Sequence, residues 1–74
     1  MKYDNYYGYN LETACRQKID GRYYVEVMIF KDLNNKAHRN HFIESKISFV
    51  LPEEAEKESI NFGKNLIKRN LVGF

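Results

Sequence analysis

The sequence predicts a small α+β domain in the order β-β-β-α, a three-stranded antiparallel β-meander packed against one C-terminal α-helix. Three observations lead there. Pro52 to Arg69 has a helical apolar period, two earlier runs alternate with a period of two, and turn formers separate the runs. All 74 residues, 1–74, are read as a single domain.

Met1 to Asn5 is polar and is expected to be loosely held. From Tyr7 the odd positions Tyr7, Tyr9, Leu11, Thr13 and Cys15 alternate with Gly8, Asn10, Glu12, Ala14 and Arg16, as in a strand with one buried face. Tyr23 to Phe30 is the most strand-like run, with Tyr23, Val25, Val27 and Ile29 on one side.

Asp20-Gly21 between these runs suggests a two-residue hairpin turn. Parity argues otherwise. A two-residue loop would pair Cys15 with Glu26 and set the odd face of one strand beside the even face of the next. A three-residue loop, Ile19-Asp20-Gly21 with Gly21 left-handed, pairs Lys18 with Arg22 and sets Leu11, Thr13 and Cys15 opposite Ile29, Val27 and Val25.

Residues 31 to 40 are polar and rich in turn formers, which predicts a hairpin loop. The third strand is expected from about His41 to Val50. Ile43, Ile47 and Phe49 share one parity while Phe42 and Val50 have the other, so either both faces are partly covered or a bulge near Ser45-Lys46 shifts the register.

Pro52 suits a first helical position and pushes Leu51 extended. On the helix, Ala55, Ser59, Phe62 and Leu66 form one stripe, Ile60 and Ile67 another, and Gly63 lies between them. The apolar arc is roughly 160° wide at about 100° per residue, suited to lying on a sheet. Gly63 implies close approach to that sheet. Acids first (Glu53, Glu54, Glu56, Glu58) and bases last (Lys64, Lys68, Arg69) complement the helix dipole. Asn70 or Gly73 ends the helix, and the tail Leu71-Val72-Gly73-Phe74 is expected to pack back or to meet a partner.

Composition narrows the function. Twelve Lys and Arg against ten Asp and Glu give a net charge of +2, too small to announce a polyanion partner by itself. One cysteine excludes an intramolecular disulfide. No apolar run approaches the ~20 residues of a membrane span, and the opening residues lack signal-peptide character, so a cytoplasmic setting is the expectation.

The order of motifs resembles a small family labelled HlyU, a name attached to transcriptional activation. The residues that carry the resemblance are Tyr7-Gly8-Tyr9 with Leu11, Gly21 and Tyr23, His41-Phe42-Ile43, Glu54-Ala55, Gly63-Lys64 and Leu66-Ile67. Glu44-Ser45 and Lys68 depart from the family pattern. The resemblance implies a regulatory role, with no catalytic residue and no cofactor.

Catalytic chemistry finds little footing. Cys15 falls on the predicted buried face, far in sequence from either histidine, and reads as an inert core thiol. His38 and His41 form H-x-x-H with no third ligand evident. The acids of the helix start lie on its wet side. Phosphate-binding glycine loops and nucleophile elbows are missing, and no small-molecule substrate suggests itself. The expectation is a non-enzymatic protein without metal or cofactor.

The outer sheet face is more informative. Tyr24, Met28, Phe30 and Phe42 are expected there as an apolar patch, covered by a protein partner or a second copy in a homodimer, or else by the N-terminus or the tail, and a strand edge is the other expected route to self-association. The alternative is a nucleic-acid-binding regulator, with the aromatic rings stacking on bases and Arg16, Lys18, Lys36, His38, Arg39 and Lys46 meeting phosphate. Glu12, Glu26 and Glu44 are expected on the same face, where they would repel a phosphate backbone.

Overall fold

The expected meander gains a strand at its start. A computed structural model describes residues 2–14 and 16–74. It contains β1 (Tyr3–Tyr6), β2 (Tyr9–Thr13), β3 (Tyr23–Leu33), β4 (Lys36–Phe49) and α1 (Pro52–Lys68), with the four strands antiparallel in the order β1-β2-β3-β4. The class is α+β with one C-terminal helix, as expected, but the sheet has four strands, not three.

The N-terminal segment read as loose is β1. Tyr6 pairs with Tyr9 across the two-residue turn Tyr7-Gly8, whose φ values of 48° and 79° are left-handed at both positions. That is the geometry that matches the twist of a tight hairpin. An aromatic residue in the first of those positions hid the turn, because Asn or Asp is the usual occupant. Backbone and side-chain bonds between Lys2 and Thr13, both 2.9 Å, extend the pairing.

The second hairpin follows the parity argument. Leu11 faces Ile29 and Thr13 faces Val27. The Lys18 N–H donates to the Arg22 carbonyl at 2.9 Å, and Gly21 has φ 81°. The expected pairing of Cys15 with Val25, and the burial of Cys15, lie outside the described residues.

The polar stretch 31 to 40 is not a loop. Its pairs run from Ile29↔Asn40 to Leu33↔Lys36, and only Asn34 and Asn35 turn the chain, with φ 51° and 64°. β4 is a sheet edge, so its polar residues meet water on one side and never needed apolar character. Further along, Val25 pairs with Glu44 but Tyr24 pairs with Ser48, leaving Ser45, Lys46 and Ile47 unopposed as a bulge at the expected place.

Helix α1 begins at Pro52 with no side-chain cap and ends as expected near Asn70. The Leu71 N–H donates to Leu66 O and the Asn70 N–H to Ile67 O, with Asn70 left-handed at φ 57°. These are the paired bonds of a Schellman stop. The helix buries Ala55, Ser59, Ile60 and Gly63 against β2 and β3. A Cβ on Gly63 would lie 3.2 Å from both Leu11 Cδ2 and Val27 Cγ2, so the absent side chain sets the helix-to-sheet distance. Ser59 Oγ accepts the Glu26 N–H at 2.9 Å and donates to the Ala55 carbonyl at 2.7 Å, pinning helix to strand.

The tail packs back on its own domain. Val72 joins Leu11, Val27, Ile29 and Ile60 in the core, Asn40 Nδ2 donates to the Val72 carbonyl at 2.6 Å, and the Phe74 ring stacks on His38 with centroids 5.8 Å apart. These contacts lie on the helix side of the sheet. With the N-terminal segment forming an edge strand, neither terminal segment covers the outer face among the described residues. Among the described residues, no helix is long and apolar enough to cross a membrane.

Candidate binding face

Alternation along β2 and β3 sends Leu11, Thr13, Val25, Val27 and Ile29 under the helix and leaves Asn10, Glu12, Tyr24, Glu26, Met28 and Phe30 outside. On β4 the register reverses the expected parity. Phe42 lies opposite Val27 and packs on the core, while Ile43, opposite Glu26, faces outward. Phe42 therefore leaves the proposed outer patch, and Glu44, opposite Val25, turns to the helix side as well. The expected outer face ran one parity through the whole strand, without the register shift that the bulge at Ser45 to Ile47 introduces.

Met28 and Phe30 remain as the apolar centre of the face. With Glu12, Ala37 and Arg39 they line an open groove of ≈ 470 Å³. A second recess of ≈ 320 Å³ adjoins it, with Tyr3, Asn5, Asn10 and Phe30 among its walls. Phe30 is shared by both.

Tyr24 is not continuous with this centre, because Glu26 lies between them. Its hydroxyl donates to Asp20 Oδ2 at 2.5 Å, and Asp20 Oδ1 also accepts the Arg22 N–H at 3.0 Å. The shared hydrogen bond to Asp20, then partial burial, raises the Tyr24 pKa, and the same bond holds the Asp20 carboxyl below its usual value. Tyr24 is thus committed to ordering the β2-β3 connection.

Glu26 is the least expected feature. Its residue surface is 1% exposed although it points to the outer face, where Arg16 covers it and His41 Nε2 approaches Oε2 to 2.5 Å. Burial alone would raise its pKa, yet the hydrogen bonds from Arg16 and His41, with their charges, outweigh that and leave it lowered. Sequence reading placed Glu26 as a repulsive surface acid. The signal was available in Val25-Glu26-Val27, a carboxylate inside the most apolar strand run, with Arg16 diagonally across the predicted register. His41 was missed because the parity expected for the third strand turned it to the helix side.

The basic residues do not form one patch. Arg16 is held by Glu26, and Lys18 lies beside Ile19, Asp20 and Tyr24 at one end of the sheet. Lys36 follows the Asn34-Asn35 turn at the other end, Lys46 is in the bulge, and His38 is stacked under Phe74 on the helix side. Only Arg39, opposite Phe30, adjoins the groove. His38 and His41 have opposite orientations on β4, so their rings diverge and do not chelate together.

No known protein family matches the chain, and no curated protein or solved structure matches it either.

Proposed function

We propose that this chain is a non-enzymatic binding module that acts through protein–protein contacts on the outer face of its sheet, in a cytoplasmic setting. The observation that carries the reading is the groove at Met28 and Phe30, which no segment of the described chain covers. A sheet packed on one side by a helix ordinarily turns a polar face to water, and apolar side chains centred on such a face mark an interaction surface. The single cysteine fits a reducing compartment.

Sedimentation equilibrium over a concentration series tests the reading. The wild-type mass rises with concentration, whereas Met28→Glu keeps its circular dichroism and stays at the monomer mass. Association of equal strength in the two proteins contradicts it.

A second reading, a nucleic-acid-binding regulator, draws support from one arrangement, the Arg39 cation beside the Phe30 ring. A ring for stacking next to a charge for phosphate is a common element of single-strand recognition. Glu12 across the same groove weighs against it.

A further inference from the structure

The groove is electrically lopsided. Glu12, Met28 and His41 form one row across β2, β3 and β4, and Asn10, Phe30 and Arg39 form the next. The acid stands on one side of β3 and the bases on the other. Neither Glu12 nor Arg39 takes part in an ion pair among the described residues, while His41 is turned to Glu26.

Resting on the reading of this face as a protein-contact surface, we propose that its occupant is a second copy of this chain, related by a two-fold axis along β3, with Glu12 of each copy meeting the partner's Arg39. The charge order selects that axis. Two identical sheets can close face to face about an axis along the strands or about one across them. An axis across the strands lays β2 over β2 and β4 over β4, bringing Glu12 toward Glu12 and basic residues toward basic residues. An axis along β3 lays β2 of one copy over β4 of the other. Acid then faces base twice, once on each side of the apolar centre.

The distances suit the arrangement. Rows on one sheet face are about 7 Å apart, a span that an arginine side chain bridges to reach from its own row to the row of Glu12. Stacked sheets lie about 10 Å apart, so Met28 and Phe30 of the two copies interdigitate. Asp32 is the acid on the β3 line itself, one pair from the hairpin tip, where sheet twist splays two stacked layers apart. Added apolar burial also suits a chain whose buried core cluster is Leu11, Val27, Ile29, Ile60 and Val72.

Charge reversal and mixing test the arrangement. Glu12→Arg and Arg39→Glu each weaken self-association by roughly tenfold, since each meets two like-charge contacts. Mixing the two variants in equal amounts restores a heterodimer near wild-type affinity, because both contacts are then acid against base. An intrachain pairing of residues 12 and 39 is not rescued by mixing. Loss of association in Met28→Glu together with indifference to both reversals overturns the two-fold arrangement and leaves the contact face standing. A wild-type chain that stays monomeric at about 1 mM, far above the affinity of a specific dimer, overturns the second copy as occupant. Association that persists unchanged in Met28→Glu instead overturns the face itself.

Discussion

Glu26 and His41 meet on the outer sheet face with 2.5 Å between Oε2 and Nε2, the carboxylate side chain being 2% exposed and the imidazole 38%. Arg16 donates to the same carboxylate from the other side. A charge placed this deep on an otherwise accessible face is tolerated because Arg16, from the β2-β3 connection, pairs with it and His41, from β4, meets the same carboxylate.

Glu26→Gln keeps the shape of this cluster but removes the charge that both donors address. A loss of about 1–3 kcal/mol is expected. The Glu26 pKa is lowered in the folded state, so its contribution is fully present above the usual value of 4.5 and is lost as pH falls through the lowered one. Urea unfolding from pH 7 to pH 3 checks this. The acid loss of stability should be shallower in Glu26→Gln, and an identical slope would remove the ion-pair account.

Gly63→Ala pits two effects against each other. Alanine gains about 1 kcal/mol of helix propensity. Its Cβ, 3.2 Å from side chains of the fully buried Leu11 and Val27, must push aside groups with nowhere to go. Overpacking of about 1–3 kcal/mol prevails. Chemical denaturation should show net destabilisation, and a more stable variant would mean that the helix moves freely on the sheet.

Asn35→Gly should stabilise the β3-β4 hairpin by about 0.5 kcal/mol, because Asn35 has φ 64° and glycine adopts that region without strain. Asn35→Val should destabilise it by about 1 kcal/mol or more. Thermal melts of the pair check the turn, and equal melting temperatures would restore the longer loop.

If the nucleic-acid reading holds, Lys36→Glu with Arg39→Glu weakens binding to mixed-sequence single-stranded DNA and flattens its salt dependence. Fluorescence anisotropy at low and near-physiological salt measures both. No binding by the wild-type chain at low salt ends that reading.

Much of this fold was legible where burial imposes a period. Leu11, Val25, Val27 and Ile29 announced their strands, and the parity of Leu11 with Ile29 selected the correct hairpin. Ala55, Ser59 and Gly63 announced the helix face. The missed elements are those whose residues carry no burial signal. β1 pairs at an edge through polar residues, and the start of β4 is an edge strand with water on one side. Missing that length of β4 hid which way Phe42 and His41 point. The candidate face was therefore half legible. Met28 and Phe30 were correctly placed outside, whereas Phe42, His38 and the Arg16-Glu26 pair needed the register of β4 and the path of the chain after β2.

The most direct measurement of the contact face is an amide and methionine-methyl NMR spectrum across a dilution series of the wild-type chain. The account predicts concentration-dependent shifts centred on Met28, Phe30, Glu12 and Arg39, with Ala55 and Gly63 under the helix unmoved. Shifts centred instead on the helix or the bulge at Ser45 to Ile47, or concentration-dependent shifts of the same size in Met28→Glu, would contradict it.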